Sequence, residues 1–404
     1  MPLRSRFAFG LALAFATFGL AQPSWPTPVD SNTNGKIDSD EIQDVIDAIT
    51  SGTVYLPADK TYNITTSVII EKNNVTLLGE GHGVSTAGGT IFKINADVEG
   101  LVIRSCTGSG ARDLSIVATA GNHSTNAIRL EDCTDSFLAN LRVTNAYNGI
   151  AVLNCTAPSL TDISLRAHAG AYGFKLSGSG GDSTTDAVLT RVSGAGASGN
   201  STTEWLVVGP SVDGLTLQSS RFVGAWRGFR LTGTPAPVNI TTVRYGADNQ
   251  IGDSVVAETG ANLTMINSWI GQPNGAGMIL GSGFSGPANL TNLRIRGAYQ
   301  HGLQIDGGDG INLWNPLIGA NGTDPSAGTT TIAGIQIAAG VTNVRIVGGR
   351  VGPLYSQGSS AKQYYGVRYL GTTTQSDSNN VKSRGPSLAG NGVPFTPANL
   401  PSNH

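Results

Sequence analysis

The sequence predicts an all-β chain folded as a right-handed parallel β-helix, a solenoid of short coils closed at its start by a small helix. Three observations carry that expectation. A small residue followed by an apolar, a variable and a second apolar residue recurs, as in Ala127-Ile128-Arg129-Leu130, Gly149-Ile150-Ala151-Val152, Gly173-Phe174-Lys175-Leu176, Gly228-Phe229-Arg230-Leu231 and Gly302-Leu303-Gln304-Ile305. The second apolar residues, Leu130, Val152, Leu176, Val208, Leu231, Val256, Leu280, Ile305 and Ile337, follow one another at intervals of 22 to 32 residues. Each unit also carries a second alternating run downstream, such as Leu141-Arg142-Val143 or Val344-Arg345-Ile346, with turn residues between the runs. Alternation with period two reads as short strands. One unit cannot bury its own apolar face, but stacked units share a continuous core.

The elements follow in order. Arg4 and Arg6 precede an apolar run from Phe7 to Leu20, and Gly19-Leu20-Ala21 offers small residues for cleavage before Gln22. This layout predicts a signal peptide over 1–21 and a secreted, extracellular protein. Residues 22–50 are read as a loop and a capping helix, because Ile42, Val45, Ile46 and Ile49 fall at helical spacing. The β-helix is expected over 51–381. The stretch 382–404, rich in Ser, Pro, Gly and Asn, reads as an irregular tail.

Composition narrows the function classes. The chain has 404 residues, 55 of them Gly, and a net charge of −2. That balance gives no general attraction to nucleic acid or anionic membrane, so any basic patch must be local. No later stretch is apolar enough to cross a bilayer, and no membrane insertion is expected. The three cysteines, Cys106, Cys133 and Cys155, each precede Thr. They read as a packing ladder on successive coils, with one bridge between neighbours geometrically possible.

Ile42-Gln43 with Ile46-Asp47-Ala48, Gly52-Thr53-Val54-Tyr55-Leu56-Pro57-Ala58 and Val75-Thr76-Leu77-Leu78-Gly79-Glu80-Gly81 give the opening coils a marked likeness. The chain resembles pectate-lyase-like β-helix proteins, a group that includes pectin-degrading enzymes, phage tailspikes and uronate epimerases. The resemblance implies the fold and a carbohydrate-directed role, since many chemistries share this scaffold. The polygalacturonase-like pairing of Asn-Thr-Asp with Asp-Asp and the epimerase-like Asp-Pro-His-Asp are both absent. His82, in Gly81-His82-Gly83, is assigned a turn.

Beside the cap, Asp30-Ser31-Asn32-Thr33-Asn34-Gly35-Lys36-Ile37-Asp38-Ser39-Asp40-Glu41 matches an EF-hand loop. Oxygen-bearing side chains stand at positions 1, 3, 5, 9 and 12, with Gly at the sharp sixth position. Asp30, Asn32, Asn34, Asp38 and Glu41, with the Lys36 carbonyl, are the expected ligands of a structural Ca²⁺. The simpler alternative, that Asp38 to Gln43 merely starts the capping helix, leaves Asp30, Asn32, Asn34 and Gly35 unexplained.

The residue between two inward apolar positions faces outward. On successive coils this ladder reads Arg129, Ala151, Lys175, Val207 and Arg230, then turns mostly neutral through Ile279, Gln304 and Gln336. Tyr147, Tyr172, Trp226, Tyr299 and Tyr365 stand in or beside the turns that enter these strands. Aromatic rings suit pyranose faces and cations suit uronate carboxylates. The expected function is therefore action on an acidic extracellular polysaccharide. A lyase is preferred, with hydrolase or epimerase as further possibilities. The rival class is a non-catalytic surface or matrix β-helix that binds glycans or cells.

For β-elimination, Arg227 or Arg230 would neutralise the uronate, and Lys175 or Tyr172 would take the C5 proton. Hydrolysis needs two carboxyls about 5–9.5 Å apart. Glu204 and Asp253, two rungs apart, are a conceivable pair, whereas Glu131 and Asp306 lie too many coils apart. Glu204 and Arg227 hold matching positions on adjacent coils and could form a salt bridge. Arg129, Tyr147, Trp226, Tyr299, His301 and Asp306 complete the expected substrate-binding set.

Overall fold

The computed structural model describes residues 25–58, 60–82, 89–119, 124–166, 169–196, 202–323, 332–352 and 363–370, together with the backbone of 381–384 and 393–396. The expected signal peptide lies outside the described residues.

Successive coils stack in parallel register, and the 35 strands among the described residues form one continuous parallel β-helix with a single α-helix. Each coil has three faces. In one middle coil, Tyr172–Ser177 lies on the first face, Thr184–Thr190 on the second and Ser193–Ala195 on the third; Glu204–Val208 then begins the next coil directly above Tyr172–Ser177. Helix Ser39–Ala48 closes the start, burying Ile42 and Ile46 against the first coils.

The repeat has a local cause. Inward positions hold apolar residues at full burial, including Ile128, Ile150, Phe174, Leu206 and Phe229 in one ladder and Leu130, Val152, Leu176, Val208 and Leu231 in the next. The corner between the second and third faces needs a left-handed backbone. Asp113, Asn140, Asp162, Asn267, Asn292 and Asn315 supply it at φ between 51° and 60°. Short polar side chains tolerate that region best and can bond their neighbours in the stack. Asn292 Nδ2 donates to Asn267 Oδ1 (2.8 Å), and Asn315 Nδ2 to Asn292 Oδ1 (2.9 Å).

Two details depart from the sequence pattern. Val256, read as an inward marker, stacks instead on Arg230 in the outward column, and Ala257 takes the inward place above Leu231. The outward Val256 is still buried, at 5% exposure. Trp205, which replaces the usual small residue, points into the core at 0% exposure. Its indole fits because Gly173 and Gly194 lack side chains; a Cβ on Gly194 would come within 2.3 Å of the ring. Trp205 Nε1 donates to the Val223 carbonyl at 3.0 Å.

Cys106, Cys133 and Cys155 face inward on successive coils as free thiols, with the Cys106 and Cys133 sulfurs 3.5 Å apart. Near the end of the chain Val381–Arg384 pairs on the second face and Val393–Thr396 on the first, and the rest of the stretch expected to be an irregular tail lies outside the described residues.

Candidate functional site on the first face

The first face places Arg129, Ala151, Lys175, Val207, Arg230 and Val256 in one outward column, in register from coil to coil. Lys175 and Arg230 are thus two rungs apart, about 10 Å at the parallel-sheet spacing. Three residues earlier on each strand, a second column carries Asn126, Asn148, Tyr172, Glu204 and Arg227. The polar chemistry of this face is concentrated in these two columns.

Around Arg230 the charges close on themselves. Glu204, 7% exposed, accepts from Arg227 Nη1 at 2.9 Å and from Arg230 Nη1 at 3.2 Å. Arg230 Nη2 also donates to Glu258 Oε2 at 2.7 Å, and Thr232 Oγ1 to the same oxygen at 2.8 Å. Burial works to raise the Glu258 carboxyl, but the bonds from Arg230 and Thr232 and the charges of Arg230 and Arg227 hold it below the ordinary glutamate range. Arg227 and Arg230 therefore have their charge answered within the protein.

A second cluster surrounds Arg129. Its guanidinium bonds both oxygens of Glu99, at 3.0 and 2.8 Å from Nε, and also pairs with Glu131. Asn126 Nδ2 donates to Glu99 Oε1 at 2.8 Å, and the Tyr172 hydroxyl donates to Asn126 Oδ1 at 2.6 Å. Burial, with the Glu99 charge adding to it, pushes the Tyr172 phenol up to about 12. Tyr172 thus keeps its proton at neutral pH.

Lys175 stands between the two clusters. Its ammonium lies 5.6 Å from the centre of the Tyr172 ring, with no carboxylate in ion-pair reach among the described residues. Its column neighbours Ala151 and Val207 are too short to compete for it.

The other expected site residues lie apart from Lys175. Tyr147 is 41% exposed. Trp226 packs over Gly252, whose missing side chain leaves room for the indole. Asp253 Oδ1 accepts from the Ala276 amide at 2.8 Å. His301 is mostly buried; its Nδ1 accepts from the Ala333 amide at 3.0 Å, and burial together with the Arg368 charge pulls its pKa down to about 4. Asp306 accepts from Gln304 Nε2 at 2.7 Å. Tyr299 holds the same loop through its amide, bonded to the Pro273 carbonyl.

Sequence reasoning missed Glu99, Asn126, Glu258 and Thr232. Glu99 and Asn126 were within reach of it, because the register that aligns Leu101 with Ile128 sets Glu99 beside Asn126. Glu258 was not, since its partner is chosen by how far the Arg230 side chain reaches across a rung.

In the loop before the helix, Asp30 accepts from the amides of Asn34 (3.1 Å) and Gly35 (2.7 Å), and Gly35 takes φ +78°. Asn32 and Asn34 side chains both donate to Asp38 Oδ2 at 3.2 Å. Glu41 turns back to accept from the Ser31 amide and hydroxyl and the Asp38 amide. Among the described residues no three acidic, imidazole or thiol groups converge into a ready-made metal cage.

No protein-family model and no curated protein matches the chain. Solved structures do. The chain is similar to the A-module of the mannuronan C-5 epimerase AlgE4 of Azotobacter vinelandii, with 18% identity, 89% of this chain and 94% of that one covered, and a TM-score of 0.56. The A-module of AlgE6 from the same organism gives 15% identity, 90% and 97% coverage and a TM-score of 0.57. Tailspike protein 3 of bacteriophage CBA120 gives 12% identity and a TM-score of 0.59; 91% of this chain is covered but only 62% of that one. At such identities the likeness is one of fold: the chain has a right-handed parallel β-helix.

Proposed function

From that shared scaffold, we propose that the protein acts on an acidic extracellular polysaccharide along its first face, around Lys175 and Tyr172. The observation that carries this reading is the unpaired Lys175 ammonium, set between two arginine–glutamate clusters and over an aromatic ring. A uronate carboxylate brings the negative charge that this cation lacks, and a charge-assisted bond to it holds the sugar in register.

The reaction class that fits best removes the C5 proton, the first step of both elimination and epimerisation. In elimination the C5–H and C4–O bonds break, the C5 proton passes to a solvent water, a C4–C5 double bond forms, and the leaving oxygen takes up a proton. Lys175 neutralises the carboxylate, which makes C5 more acidic. Tyr172, protonated at neutral pH, is suited to giving a proton to the leaving oxygen. Arg227 and Arg230 serve better as the frame that holds Glu204 than as neutralising groups. Two of the similar structures are C-5 epimerase modules, which is consistent with chemistry at that carbon. Hydrolysis by Glu204 and Asp253 is disfavoured, because both Glu204 oxygens are already engaged by Arg227 and Arg230 and Asp253 is engaged by the Ala276 amide.

One observation favours binding without turnover. The glutamates flanking Lys175, namely Glu99, Glu131, Glu204 and Glu258, are all in ion pairs, so none is free to serve as a base. A panel of acidic and neutral polysaccharides, followed by absorbance of unsaturated products, reducing-sugar release and C5 proton exchange, tests the enzymatic reading. Binding of an acidic glycan with none of the three signals leaves the binder.

The N-terminal segment supports export of this protein, with a polysaccharide as its extracellular partner. The oxygen-rich loop Asp30–Glu41 supports one structural Ca²⁺, held by Asp30, Asn32, Asn34, Asp38 and Glu41 and the Lys36 carbonyl. Binding would turn Glu41 away from Ser31 and toward the ion.

A further inference from the structure

The third face carries a different arrangement of charge. Near the C-terminal end, Trp269–Gly271, Arg294–Arg296, Leu317–Gly319 and Arg350–Val351 stack on four successive coils. The outward column here reads Trp269, Arg294, Leu317 and Arg350. Arg296 stands above Gly271, and a Cβ on Gly271 would meet the Trp269 ring at 2.6 Å. The indole therefore lies over the sheet surface, with Arg294 and Arg296 one rung above it. Around the corner, on the same coil as Arg350, the Arg345 guanidinium covers the 38% exposed Trp314 at 4.8 Å.

These arginines differ from those of the first face. Arg129, Arg227 and Arg230 are all paired with glutamates. Arg294, Arg296, Arg345 and Arg350 have no carboxylate in ion-pair reach among the described residues. In a chain with 25 cations and 27 anions, four unanswered arginines on neighbouring coils make a local positive field. Like charges held close together cost free energy unless an anion is shared among them.

We propose that this strip of Trp269, Arg294, Arg296, Arg345 and Arg350 is a second binding site that takes an anionic glycan, independently of the chemistry on the first face. The Trp269 ring offers a flat surface to a sugar, and the guanidinium forks pair with its carboxylates or sulfates. The strip runs for three rung spacings, about 14 Å, so it engages several linked sugars rather than one end group. Such a site keeps the protein on its polymer while the first face works. A duplex nucleic acid is the poorer fit, because among the described residues this face presents no element that enters a groove.

Affinity electrophoresis of the full chain through gels containing polygalacturonate, heparin or double-stranded DNA tests the proposal. The wild type is expected to be retarded by polygalacturonate or heparin, and the stronger of the two names the anionic group. Arg294→Gln with Arg350→Gln should weaken that binding about tenfold, as the loss of two exposed ion pairs implies. Arg104→Gln with Arg112→Gln, which removes the same charge from arginines already paired with Glu71 and Asp113, should leave it within twofold. Trp269→Ala should weaken glycan binding at unchanged net charge. Equal losses in the two double variants, no loss in the first, no retardation of the wild type, or stronger retention by DNA would each overturn the proposal. First-face turnover should persist in Arg294→Gln/Arg350→Gln, which separates failure of this site from failure of the active-site reading.

Discussion

The Lys175 ammonium lies over the Tyr172 ring at 5.6 Å, while the Tyr172 hydroxyl reaches past Asn148 to donate to Asn126, two coils away. The cation is left facing solvent and the phenol is held by the protein. One residue of the pair thus has no carboxylate partner among the described residues, and the other is tied into the lower cluster through Asn126.

Lys175→Ala should abolish handling of an acidic polysaccharide, with kcat/KM falling at least a hundredfold if Lys175 neutralises the reacting carboxylate, an effect of about 3 kcal/mol. Tyr172→Phe keeps the ring beneath the ammonium and removes only the hydroxyl. It should lower kcat while leaving KM nearly unchanged. Steady-state kinetics on the same polymer decide this, and wild-type rates in both variants would remove the chemistry from these coils.

Glu204 is the hub of the upper cluster, with two arginines depending on one nearly buried carboxylate. Glu204→Ala should destabilise the fold by about 2–4 kcal/mol, because among the described residues it leaves Glu258 as the one acid paired with these partly buried guanidiniums. Glu204→Gln should cost less, since its amide oxygen still accepts one bond. Urea denaturation followed by circular dichroism measures both.

His301 should make the protein acid-sensitive. Its folded pKa is depressed to about 4 from 6.5, so on acidification the unfolded state takes up the proton first. The stability it contributes is complete above about pH 6.5 and is lost as pH falls through about 4, a change of about 3 kcal/mol. His301→Gln should flatten this part of the stability profile. An unchanged slope between these pH values in the variant would show that the imidazole is not the group responsible.

Calcium should raise the melting temperature of chelator-stripped protein through the Asp30–Glu41 loop, since an ion that binds only the folded state stabilises it by mass action. Asp30→Ala with Glu41→Ala should abolish both the shift and a stoichiometry of about one ion per chain in calorimetry. Zinc or magnesium should not substitute well for calcium at this all-oxygen, flexible loop. No heat of calcium binding in the stripped wild type would leave Glu41 solely as a helix cap.

The sequence by itself determined the solenoid, the inward ladders, the stacked cysteines and the two-rung separation of Lys175 and Arg230. All of these follow from period-two alternation and a repeat, which are written locally and read without knowing the rest of the chain. Only the tertiary structure decided that Arg230 is bound to Glu204 and Glu258 while Lys175 is not, because that depends on how far side chains reach across a rung. It also decided that Val256 faces outward: a register change of one residue reverses the side of every residue after it, and the turn before the strand sets that register. The burial that holds His301 neutral and the unpaired arginines of the third face have the same origin. Turn lengths bring distant segments together or keep them apart, and neither composition nor spacing records the result.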